Sequence, residues 1–147
     1  MWDKYKACDN LGIPYKVYDM TKAIGGYTEL KDRFIHINKS NASDDRVWAH
    51  EIAHALFHFK KLEAAFGIDK ELNAIAEIEA DTTAFIVTQV LGQENAEYLG
   101  YIEHFLQSIP LSKLNETLIN DRLNTIIEKA SLILTAGGYY EQNGKRN

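Results

Sequence analysis

The sequence predicts an α+β fold, in which a short sheet comes first and helices follow. Three observations lead there. Short strand-like segments occupy the stretch up to Asn38, whereas beyond Ser43 apolar residues recur at helical spacing. Strands and helices are segregated rather than alternating, which argues against a βαβ parallel sheet. The 147 residues, 46% hydrophobic and 25% charged, suffice for one hydrophobic core without a visible linker or repeat, so residues 1–147 are expected to form a single domain.

The elements follow in order. Residues 2–11 form a short helix ending at Gly12, a residue suited to the left-handed C-cap position. Residues 13–18 alternate as a strand. Gly25-Gly26 mark a turn, and Tyr27–Leu30 and Phe34–Asn38 are strands joined near Lys31-Asp32. Alternation in the second of these places Ile35 and Ile37 on one face and Phe34, His36 and Asn38 on the other.

Ser43 is a hydroxyl N-cap, and Asp44 and Asp45 suit the positive end of a helix dipole. The helix they start runs to about Lys60. Trp48, Ile52, Leu56 and Phe59 cover one side of it, and His50, Glu51, His54 and His58 the other. Further helices are expected from about Lys70 to Leu91, closed by Gly92, from about Glu94 to Ser108, stopped by Pro110, and from about Leu114 to Thr135, ended by Gly137-Gly138.

The first long helix carries His50-Glu51-Ile52-Ala53-His54, an H-E-x-x-H run expected by chance only roughly 0.014 times in a chain of this composition. Residues four apart share a helix face, so both imidazoles can point at one metal ion. Glu51 is placed to reach a water held by that ion and to act as the general base of a zinc-dependent hydrolase. A catalytic zinc usually takes a third protein ligand. His58 is poorly placed, because eight residues of helix put it about 12 Å along the axis from His50. The second long helix offers Glu77 and Asp81, which share a face lined by Ala74, Ala80 and Ala84. Glu79 is the alternative ligand and points nearly the opposite way. With Glu77 on the metal, Asp81 one turn on can accept the remaining N–H of a ligating histidine and fix its orientation.

Composition narrows the function classes. A formal charge of −5 with scattered lysines and arginines argues against intrinsic nucleic-acid binding. Cys8 is alone, which fits a reducing compartment. The N-terminus lacks an apolar signal region and no stretch is long and apolar enough to span a bilayer, so a cytoplasmic protein without membrane partners is expected.

His50 to His58, HEIAHALFH, resembles the motif of the ImmA/IrrE-type metallopeptidases, zincins carried by many bacteria and mobile elements. The strand Phe34–Asn38 shortly before it is similar to that family too. Glu77-Ile78-Glu79-Ala80-Asp81 resembles the family segment E-x-x-A followed by Asn, Asp or Ser, whose first glutamate is the third zinc ligand. The resemblance thus implies a small gluzincin-type domain with zinc on His50, His54 and Glu77. Ala80 to Phe85 and Gly100 to Leu106 resemble the metallopeptidase domain of ArdC-type antirestriction proteins. Two departures stand out. The single-stranded-DNA-binding region of ArdC-type proteins has no counterpart here, and Val87 to Gly92 replace the L-L-x-P segment of many ImmA/IrrE proteins.

The implied function is zinc-dependent hydrolysis of a protein or peptide substrate, with a regulatory or host-defence role on a mobile element. The alternative is a zincin-scaffold module that acts by binding a protein partner. Tyr98, Tyr101, His104, Arg122, Tyr139 and Tyr140 are candidate donors to the oxyanion of such a reaction. The strand Phe34–Asn38, as the sheet edge beside the cleft, would take an extended peptide by strand addition.

Overall fold

The structure, a computed structural model, describes residues 1–21, 23–57, 70–93, 103, 107 and 116–144. Its elements are α1 (Lys4–Leu11), β1 (Tyr15–Tyr18), β2 (Gly26–Glu29), β3 (Phe34–Asn38), α2 (Asp45–Phe57), α3 (Lys70–Val90), α4 (Glu116–Ala136) and a short α5 (Tyr139–Gly144). The fold is α+β, a three-stranded sheet followed by helices, as the segregation of strand and helix patterns predicts. Three expectations fall outside the described residues: the helix over 94–108, the reach of α2 beyond Phe57, and the placement of His58, Tyr98, Tyr101 and His104. Among the described residues no helix is long and apolar enough to cross a membrane.

Local chemistry sets the ends of α1. The Asp3 carboxylate accepts from the N–H groups of Tyr5 and Lys6, and Gly12 closes the helix at φ 68°. The same N-terminal segment then caps α4, whose last carbonyls have no partner within the helix. The Trp2 indole donates to Ile133 O (3.0 Å), Asn10 Nδ2 to Ala136 O (2.8 Å), and Asp3 N–H to Gly137 O (2.9 Å). Chain start and chain end are thereby held together by polar bonds around a buried tryptophan.

The strand order is β1-β3-β2, with β1 parallel and β2 antiparallel to β3. This corrects the expectation that Phe34–Asn38 is the sheet edge. β3 lies in the middle, and β2 is the outer strand beside α2. The reason is register: Ile35 and Ile37 are fully buried beneath the helices, at roughly 1.5–3 kcal/mol each, and a central strand is where that burial is greatest. Asn38, at the end of β3, is buried, and its Nδ2 donates to the carbonyls of Ile24 (2.7 Å) and Thr21 (3.2 Å), bracing the β1–β2 connection.

Helix α2 starts one residue later than the hydroxyl cap implies. The Asp44 carboxylate accepts from Arg46 N–H at 3.0 Å, so Asp44 rather than Ser43 is the cap. Trp48, Ala49, Ile52, Ala53 and Ala55 are all buried, so α2 runs through the core and only one strip of it meets the cleft. Arg33, in the β2–β3 turn with φ 54°, donates from Nε to Ala55 O at 3.0 Å. Gly92, at φ 79°, ends α3 as expected, with Gln93 N–H returning to Thr88 O. Ala49 and Ala53 on α2 and Ala80 and Ala84 on α3 are all completely buried, and such small side chains let the two helices approach closely. That approach positions the site.

Candidate metal centre

His50 and His54 lie one turn apart on α2, as the spacing predicts, and their Nε2 atoms are 3.1 Å from each other. The Glu77 carboxylate on α3 straddles both: Oε2 is 3.3 Å from His50 Nε2 and Oε1 is 3.0 Å from His54 Nε2. Four ligands about 2.1 Å from a tetrahedral zinc lie about 3.4 Å from one another. The separation of the two Nε2 atoms and that of each from its nearer Glu77 oxygen are of this size, with Glu77 meeting the two histidines through different oxygens. The donor set also fits the ion chemically, since two imidazoles and a carboxylate are borderline ligands suited to zinc.

Behind the donors, Asp81 Oδ1 is 2.7 Å from His50 Nδ1, the ring nitrogen that faces away from Glu77. Asp81 is buried, and its other oxygen, Oδ2, has no hydrogen-bond partner among the described residues. Among the described residues two overlapping groups of donors are close enough to hold a cation, His50 with Glu51 and His54, and His50 with Glu77 and Asp81. They share His50, and its Nε2 is the atom on which His54 and Glu77 converge.

Electrostatics favour positive charge here. Burial pushes the His50 imidazole down, but hydrogen bonds to Asp81 and Glu77 and the charge of Glu51 outweigh it and lift the group to about 10. Burial likewise pushes Glu77 up, and the bonds to His50 and His54 overcome it, holding its carboxyl well below the usual range. In a metal-free molecule a proton thus occupies the space that suits a cation, and metal uptake must displace it.

Glu51 is buried, with Oε2 4.0 Å from His50 Nε2. Its Oε1 accepts from Thr28 Oγ1 at 2.9 Å. These groups line one cleft of about 360 Å³, with Gly26, Tyr27, Thr28 and Leu30 from β2 and the turn after it on one wall and Ala76 and Glu77 on the other. Gly26 is required by close approach: a Cβ there would stand 2.8 Å from His36 O, across the β2–β3 ladder.

Other sequence candidates lie elsewhere. Glu79, the alternative third ligand, is buried facing α4, where Arg122 Nε stands 3.1 Å from its Oε1. Arg122 is thereby engaged away from the cleft, and Tyr139 and Tyr140 stack edge to face on each other at 5.1 Å, so none of the three lines the cleft. Thr28 and Tyr27 do line it and were not singled out by the sequence, because a threonine and a tyrosine are ordinary strand residues. The only local signal was alternation, which puts Gly26 and Thr28 on one side of β2.

No curated protein and no solved structure matches the chain significantly. A family model described as the IrrE N-terminal-like domain of Peptidase_M78 matches residues 8–106. That span, more than half of the chain, carries the sheet, the H-E-x-x-H helix, Glu77 and Asp81, and it ends before α4. This chain belongs to the IrrE N-terminal-like peptidase family.

Proposed function

We propose that the protein is a zinc metallopeptidase in which His50, His54 and Glu77 hold the metal and Glu51 is the general base. The single observation that carries this reading is the convergence of three donors at 3.0–3.3 Å with a fourth, buried carboxylate beside them. A bound zinc would supply Lewis acidity, polarising a peptide carbonyl and easing ionisation of the attacking water. Glu51 Oε2 takes the proton from that water and passes it to the leaving amine. Asp81 holds the His50 ring by Nδ1, keeping Nε2 turned to the site.

A protein or peptide substrate suits the cleft wall. β2 has one edge on β3 and, among the described residues, no strand on the other, so an extended segment can add to it as a further strand. This role moves from β3, to which the sequence assigned it, to β2. The finer reading retains a cytoplasmic, single-domain protein of regulatory or host-defence function on a mobile element, with an ArdC-like stretch over 80–106. Its role and its ArdC-like stretch rest on the sequence resemblance, and its localisation and single domain on length and composition.

The test is Glu51→Gln in the native cellular assay alongside metal analysis. We expect full zinc content and a loss of hydrolysis of about 10²–10⁴. A zinc-loaded Glu51→Gln protein that keeps its cellular effect would favour the binding-module reading instead.

A further inference from the structure

Glu51 has two carboxylate oxygens, and the fold treats them differently. Oε2 is the one 4.0 Å from His50 Nε2. Oε1 is held by the Thr28 hydroxyl at 2.9 Å. Thr28 Oγ1 also lies 3.1 Å from the Glu51 carbonyl oxygen, but a hydroxyl has one proton to donate. The carboxylate is the stronger acceptor, and the carbonyl already serves the helix ladder. A threonine suits this task because its branched Cβ restricts χ1, so Oγ1 has few alternative directions. The strand that carries it is fixed in turn. Thr28 pairs with Ile35 in the β2–β3 register, and Gly26 lets β2 close against β3 with no room for a side chain.

We infer that Thr28 is a positioning residue for the general base: its hydroxyl pins Glu51 Oε1, and so turns Oε2 toward the metal centre. The inference rests on the zinc peptidase reading above and deepens it. Because the cleft wall that would pair with a peptide is β2, the same strand references both substrate and base. Substrate carbonyl and proton acceptor are thereby kept in register by one element, where a misplacement of about 1 Å can cost about 10²-fold in rate.

The experiment uses the full chain loaded with zinc and acetohydroxamate as the probe. This small chelating acid ligates zinc through its oxygens and shares its acidic proton with an adjacent carboxylate. Its affinity therefore reports where the Glu51 carboxylate sits, independently of any substrate. Thr28→Val, nearly isosteric, should keep zinc content and the thermal midpoint while binding acetohydroxamate about 10-fold more weakly. Thr28→Ser, which keeps the hydroxyl without the branch, should restore most of the affinity, and Glu51→Gln sets the full loss. Thr28→Ala gives the same comparison where valine perturbs the strand. Wild-type affinity in both Thr28→Val and Thr28→Ala, or a Thr28→Ser protein as weak as Thr28→Val, overturns the positioning role. A wild type that takes up no zinc, or a Glu51→Gln protein that binds the probe as tightly as wild type, overturns the reading of the metal centre and this inference with it.

Discussion

Asp81 on α3 and His50 on α2 are joined at 2.7 Å through Nδ1, the ring nitrogen turned away from Glu77 and His54. Asp81 is buried and His50 half-buried between two helices whose contact is lined by alanines, and the bond to the carboxylate is what holds the ring. Removing the carboxylate frees the imidazole to rotate. Asp81→Ala is expected to weaken zinc binding by about 10–100-fold, and Asp81→Asn, which keeps an acceptor, by less. Competition with a zinc-chelating dye measures both. Unchanged affinity in Asp81→Ala would reduce this contact to a structural one.

The three converging donors should behave as one set. His50→Ala, His54→Ala and Glu77→Ala are each expected to lose most of the single zinc per chain, read by elemental analysis of the purified protein. Glu79→Gln should keep it, since Glu79 faces Arg122 rather than the cleft. His58→Ala is expected to keep it as well, on the sequence argument that eight residues of helix would carry it about 12 Å along the axis from His50. A Glu79→Gln protein that loses zinc beside a Glu77→Ala protein that retains it would reverse the assignment.

Cys8 sets an alkaline limit on stability. It is completely buried, and burial, with help from the Asp9 charge, pushes its thiol from 9.0 up to about 12. The folded thiol stays neutral where the unfolded one ionises. Its contribution is therefore complete below pH about 9 and is lost as pH rises from there toward 12. By pH 10 the loss should reach about 1 kcal/mol. Between pH 8 and pH 10, urea unfolding should show a loss of stability that is larger in the wild type than in Cys8→Ala by this amount, on top of the loss both share as His50 titrates. A thiol reagent at pH 8 should label Cys8 only on unfolding.

Nucleic acid is not an expected ligand. The formal charge is −5, and affinity for phosphates depends on several clustered cations releasing counterions together. Titration of fluorescent single- and double-stranded DNA at about 150 mM salt should show no submicromolar binding. Tight binding there would redirect the function toward nucleic acid.

Short-range geometry was legible in the chain before any tertiary contact was known. Four residues of helix put His50 and His54 on one face whatever lies around them, and alternation put Ile35 and Ile37 on the buried side of β3. Gly12 and Gly92 ended their helices because a left-handed C-cap is a local requirement. Glu77 and Glu79 were both open to the sequence, being two residues apart on one helix. Only the packing of α3 between α2 and α4 turned one toward the histidines and the other toward Arg122. Strand order was equally hidden: β1 pairs directly with β3 although β2 comes between them in the chain, and no residue pattern within a strand records which neighbour it will have. Thr28 meets Glu51 for the same reason. Its hydroxyl is unremarkable on a strand, and it acquires a partner only when an outer strand and a buried helix, 23 residues apart in the chain, are brought to 2.9 Å by a shared core.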